Sequence, residues 1–188
     1  MRGFEVVAVG ASLGGFDALR TVLGGLPAAF AVPVVIAQHR TSDTAMDLCA
    51  LLQRYSALPV REPDDKDPVA AGMVYVAPAD YHLLVEGGSF ALSTAAPVAY
   101  ARPSIDVLFE SVADSYGERA IGVILTGTSR DGVRGLARIK ERGGMAMVQH
   151  PHSAARRALP AAALAATAVD HCLPLQEIAP ALARLCAL

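Results

Sequence analysis

The chain has 188 residues, 53% hydrophobic and 18% charged, a balance that supports a packed core and excludes the composition of a disordered chain. That length suits one domain of generous size, and a net charge of −2 argues against nucleic-acid binding through bulk electrostatics. Apolar stretches are cut by Pro or Arg short of the roughly 20 residues a spanning helix needs, so no membrane insertion is expected; Pro27 and Pro33 divide the richest of them. The first residues run directly into a strand pattern, leaving no room for a signal peptide. Three scattered cysteines, Cys49, Cys172 and Cys186, fit neither a disulfide framework nor a four-cysteine zinc site. The expected setting is reducing and cytoplasmic.

In chain order, Glu5–Val9 is a continuous apolar run closed by Gly10, as in a parallel strand buried on both faces. A helix follows over Gly15–Gly24, then a second apolar run at Pro33–Ala37. Ser42 is placed to cap a helix reaching Tyr55. Strand patterns recur at Leu58–Arg61 and Met73–Ala77, with Glu62–Pro68 reading as a surface loop between them. Tyr81–Glu86 and Ser89–Ser93 flank Gly87-Gly88 as a β-hairpin. Pro103 suits the first turn of a helix to Tyr116. Then come a strand at Ala120–Leu125, a helix at Val133–Arg142 and a strand at Met145–Gln149. A helix around Pro160–Thr167, a strand at Val169–Leu173 and a helix at Leu175–Leu185 complete the chain. Alternating β and α units predict a three-layer α/β/α, doubly wound, mostly parallel sheet with one antiparallel hairpin.

In such a sheet the ligand site lies beyond the carboxyl ends of the strands. Ser12 follows the first strand, His39 the second, and Asp131 the strand ending at Leu125. A serine hydroxyl attacks well only when a base takes its proton, and a carboxylate behind an imidazole holds the tautomer that does so. Glycines around Ser12 permit a tight turn and close substrate approach, and the amides opening the next helix can face developing negative charge. Each residue also has a plainer reading. Gly10–Gly15 resembles a phosphate-binding turn, although it lacks the G-x-G-x-x-G spacing and the Walker lysine. His39 also fits a satisfied strand-end histidine, and Asp131 the N-cap of its following helix. His150, His152, Asp170 and His171 lack the spacing of a metal site, so neither metal nor cofactor is expected.

Val9-Gly-Ala-Ser-Leu-Gly-Gly15, Ala37-Gln-His39, Arg102-Pro-Ser-Ile-Asp-Val-Leu-Phe109 and Gly122–Gly132 together resemble the catalytic domain of the bacterial chemotaxis protein-glutamate methylesterases, the CheB family. Val74–Pro78, Asp80-Tyr-His82 and Val148-Gln149 extend the resemblance over nearly the whole chain, in order. It implies Ser12 as nucleophile, His39 as base and Asp131 as orienting acid. It further implies hydrolysis of glutamyl γ-methyl esters on the cytoplasmic helices of chemoreceptors, with deamidation of some glutamines. Leu13, Gly14, Thr128 and Arg130 flank the triad and are the candidate substrate contacts. Leu13, Thr128-Ser129-Arg130, Ala158-Leu159-Pro160 and His150 depart from the family's usual residues, which bears on substrate preference. Well-known members carry a receiver domain ahead of the esterase domain, whereas residues 1–188 read as a single catalytic domain without one. A non-catalytic receptor-docking domain and a small-molecule or nucleotide-binding module remain as alternatives. Finally, Arg130, Arg134, Arg138 and Arg142 recur every four residues, either as a docking strip for an acidic receptor bundle or as a solvated face paired with nearby acids.

Overall fold

The computed structural model describes residues 3–40 and 47–187. Strand β1 (Val6–Ala11) is buried along its full length. Val7, Val9 and Ala11 enter one core and Val6 and Ala8 the other, which is why the run shows no polar alternation. On one side β1 pairs with β2 (Val34–Gln38), followed outward by β4 (Val74–Val76) and β3 (Val60–Arg61). On the other side come β7 (Ala120–Ile124), β8 (Met145–Gln149) and β9 (His171–Leu173). Every pairing among these seven strands is parallel.

Helices α1 (Gly15–Gly25), α2 (Leu48–Gln53) and α6 (Leu175–Leu185) supply Leu19, Leu23, Leu52, Ile178 and Leu182 to the core on one face. Helices α3 (Ile105–Tyr116), α4 (Val133–Glu141) and α5 (Ala158–Ala166) cover the opposite face through Leu108, Phe109, Leu136, Ile139 and Leu159. The hairpin, β5 (His82–Glu86) and β6 (Ser89–Ser93), forms a separate two-stranded sheet. It lays Leu83, Val85 and Phe90 onto the same core as α3.

Three expectations shift. Pro103 lies ahead of α3 rather than in its first turn, because Ser104 is the N-cap and its Oγ accepts the Val107 amide at 3.3 Å. The expected Ser42 cap lies outside the described residues; α2 starts at Leu48 with Asp47 as its N-cap, whose side chain accepts the Ala50 amide at 2.9 Å. The outermost strands β3 and β9 shrink to two and three residues, as strands with a single pairing neighbour do. From β1 the chain passes through α1 to β2, while the strand on its other flank, β7, is entered after α3. Connections therefore diverge beyond β1 and β7, opening a crevice at their carboxyl ends.

Candidate active site

The crevice gathers all three expected residues. Ser12 directly follows β1, held by its amide donating to the Thr126 carbonyl at 3.0 Å. The His39 amide donates to the Ala11 carbonyl at 3.0 Å, setting the histidine beside the serine. Ser12 Oγ lies 3.2 Å from His39 Nδ1, and His39 Nε2 lies 2.7 Å from Asp131 Oδ2. With Nε2–H donated to the carboxylate, the Nδ1 lone pair faces the hydroxyl. The ring is thus presented in the reverse sense to the usual triad, with the same division of labour.

Asp131 is fully buried, which makes its partners decisive. Oδ1 accepts the Ser104 hydroxyl at 2.7 Å and the Asp106 amide at 3.0 Å, and Oδ2 accepts the Ile105 amide at 2.7 Å as well as His39. Burial alone would raise its pKa. The hydrogen bonds from His39, the Asp106 amide, Ser104 and the Ile105 amide outweigh burial and hold the carboxyl below its ordinary value. Asp131 therefore caps α3, not its own helix, whose N-cap is Gly132. Asp106 returns the favour: Oδ1 accepts the Gly132 amide at 2.9 Å and the Gly135 amide at 2.7 Å at the start of α4. Burial, reinforced by the neighbouring Asp131 charge, pushes the Asp106 carboxyl up despite those amides and Arg134.

Other side chains fix the frame. Gln38 Nε2 donates to the carbonyls of Ser12 and His39, both at 2.9 Å, tying the two loops together. Gly15 is required here by proximity, because a Cβ at that position would sit 1.9 Å from Gln38 Oε1. Thr126 Oγ1 donates to the Leu13 carbonyl at 3.0 Å, and the Thr126 amide donates to Gln149 Oε1 at 2.9 Å. Buried His82 accepts the Ser104 amide on Nδ1 at 3.2 Å and donates from Nε2 to the Ala96 carbonyl at 3.1 Å, so it supports the α3 cap as well as opening the hairpin. Of these residues Ser104 had a readable signal, a serine just ahead of an apolar run. Gln38, His82, Asp106, Thr126 and Gln149 lie within the segments that resemble the family, but their roles depend on contacts across distant loops and had no local pattern.

A cleft of about 310 Å³ opens beside Ser12, lined by Leu13, Gly14, the first turn of α1, Gln38 and His39. Gly14, at φ +82°, is the N-cap of α1 and offers no side chain to its amides, leaving the positive helix end open toward the cleft. Leu13 is 53% exposed at its mouth. Thr128 and Arg130 are also exposed, whereas Ser129 between them lines a second cleft shared with His39. Three of the four arginines of the stripe are paired within the molecule: Arg134 with Glu110 at 2.5 Å, Arg138 with Asp114 at 3.0 Å and Arg142 with Asp114 at 2.7 Å. These three arginines lie beside the acids of α3, which favours the reading as a solvated face paired with nearby acids over that of a free docking strip. Among the described residues, no three His, Cys, Asp or Glu side chains gather as a metal site, and no helix is long and apolar enough to cross a membrane. Asp170 instead holds Lys140 at 2.8 Å and the Ala146 amide at 2.7 Å.

A serine hydroxyl facing an imidazole, itself backed by a buried carboxylate at the switch point of a doubly wound sheet, is the arrangement of a serine hydrolase. The chain belongs to the CheB methylesterase family, whose model matches residues 7–182. A relative from Leptospira interrogans is 42% identical over 183 residues, covering 97% of this chain and 95% of its own length. The protein-glutamate methylesterase/protein-glutamine glutaminase 2 of Anaeromyxobacter dehalogenans is 44% identical over 181 residues, covering 96% of this chain and 53% of that protein. The chain thus spans nearly all of one relative and about half of the other. The crystal structure of the Thermotoga maritima CheB methylesterase catalytic domain superposes with a TM-score of 0.92 at 30% identity, covering 97% of this chain and 99% of that one.

Proposed function

We propose that this chain hydrolyses glutamyl γ-methyl esters on the cytoplasmic helices of chemoreceptors, and deamidates glutamines by the same route. Residues 1–188 act in this reading as one catalytic domain. Ser12 Oγ attacks the ester carbonyl while His39 Nδ1 takes its proton, and Asp131 stabilises the imidazolium. Amides of the turn at Leu13 and Gly14 and of the first turn of α1 face the developing oxyanion. Methanol departs with the proton returned by His39, and ammonia departs in the same way from a glutamine. Water activated by His39 then releases the acyl group as glutamate. Leu13 and Gly14 contact the glutamyl chain, and Thr128 and Arg130 lie at the rim.

The observation that carries this reading is the relay from Ser12 Oγ through the His39 ring to Asp131 Oδ2, at 3.2 and 2.7 Å. The test is methanol release from methylated receptor by the purified protein. Wild type is expected to release methanol stoichiometrically with ester, and Ser12→Ala to lose at least about a thousandfold in rate. Equal rates in the two proteins would refute the assignment.

A further inference from the structure

The second cleft, about 510 Å³, has His39 as its shared wall with the Ser12 cleft. Three of its lining residues carry buried polar atoms without a hydrogen-bond partner: Arg40 Nε, Arg102 Nε and Ser129 Oγ. Arg40 is otherwise committed, through Nη2, to Glu62 and to the Ala77 carbonyl at 3.0 Å. Arg102 uses only Nη1, on the carbonyls of Thr94 at 3.0 Å and Ala95 at 3.2 Å, and has no carboxylate partner among the described residues. Buried donors without acceptors are costly, and such groups in a cleft mark a place for a ligand. Guanidinium groups donate only, so the matching ligand accepts only, and a carboxylate meets a guanidinium side-on with two parallel hydrogen bonds. Asp80 also lines the cleft but is exposed to solvent, which screens its charge.

The wall carries a second mark. Val98 and Ala101 pair across a turn whose central residues, Ala99 and Tyr100, have φ of 48° and 65°. Asn and Gly adopt that geometry readily, whereas Ala and Tyr are strained in it, and strain of this kind gathers at ligand clamps. Tyr100 stands fully exposed at the tip.

We propose that this cleft holds a carboxylate of the substrate protein, an Asp or Glu side chain beside the scissile methyl ester, with Arg102 as its main ligand and Ser129 as a further donor. The proposal rests on the ester-hydrolase reading and names the specificity of that site. It is tested with two peptides carrying one glutamyl γ-methyl ester, flanked by glutamates in one and by glutamines in the other. Wild type is expected to favour the glutamate-flanked peptide about tenfold in kcat/KM, with the preference shrinking as salt rises. Arg102→Gln brings the ratio close to one, and Arg102→Lys retains part of it; comparing two peptides on one variant cancels any general loss of folding. The same ratio is read by binding to the Ser12→Ala protein, which needs no turnover. A ratio near one in wild type, or a preference unchanged by Arg102→Gln, overturns the subsite. Preferential binding without any hydrolysis by wild type would instead sink the hydrolase reading and leave the subsite standing.

Discussion

Asp131 accepts hydrogen bonds from the Ser104 hydroxyl, the Ile105 and Asp106 amides and His39 Nε2, all donors. An asparagine in its place presents a donor to one of them, so Asp131→Asn disturbs both the helix cap and the imidazole it orients. The expected result is a fall in kcat on the order of 10³–10⁴, with KM little changed. Stability carries a second signature. Because the folded carboxyl titrates below its unfolded value of about 3.9, Asp131 adds stability above that pH and loses it as pH falls through the lower, folded value. Asp106 runs the other way: its raised pKa makes the folded protein hold a proton more tightly, so its cost appears as pH rises and vanishes in acid. The stability gap between wild type and Asp131→Asn in urea titrations should therefore be wide at pH 7 and narrow below about pH 4. A gap that stays constant down to pH 2.5 would show that Asp131 is not held ionised by its neighbours.

Helices α3 and α4 exchange carboxylates, Asp131 from the start of α4 capping α3 and Asp106 from α3 capping α4. Each negative charge meets the positive end of a helix, and together they lock the Asp131 loop to the element bearing Ser104. Single-sequence reading found both helices and named Ser12, His39 and Asp131, because periodicity and strand-end position are local signals. The plainer alternative for Asp131, a cap on its own following helix, gives way to a cap on α3, since a cap given by a residue 26 positions away leaves no local pattern. The arginines of α4 show the same limit: their i, i+4 spacing is plain, but the acids that neutralise them, Glu110 and Asp114, sit on α3. As exposed pairs they contribute little, so Arg138→Ala should cost less than about 1 kcal/mol in stability. It should also leave receptor demethylation unchanged at low salt, as a two-salt rate comparison would reveal. A marked rate loss confined to low salt would restore the docking strip.

Ser12, His39 and Asp131 lie 27 and 92 residues apart along the chain, yet one rule brings them together. Parallel strands end on the same side of the sheet, and β1 stands at the centre with β2 and β7 on either flank. The shared rim was legible, because each residue follows a strand of a mostly parallel sheet, but the neighbouring of β2, β1 and β7 was not. The second cleft was not, because its walls come from the end of β2, the segments flanking the hairpin, the turn at Tyr100 and the loop after β7, whose mutual packing no single stretch encodes. Nor was it legible that the hairpin stands apart from the main sheet and packs on α3. The same architecture decides which side chains are available for chemistry. Burial, then the charges of Glu62 and Asp47, push the Cys49 thiol up to about 12 against the opposing pull of Arg40. Burial pushes Cys186 up to about 11 and raises Cys172. Thiolates, the reactive form, are thus scarce near neutral pH, while the Ser12 relay needs no ion beyond Asp131. Iodoacetamide at pH 7.5 and a strong chelator are each expected to leave methanol release within about twofold of the untreated rate, whereas Ser12→Ala abolishes it. Inactivation by alkylation, or a chelator effect reversed by zinc, would move the chemistry away from Ser12.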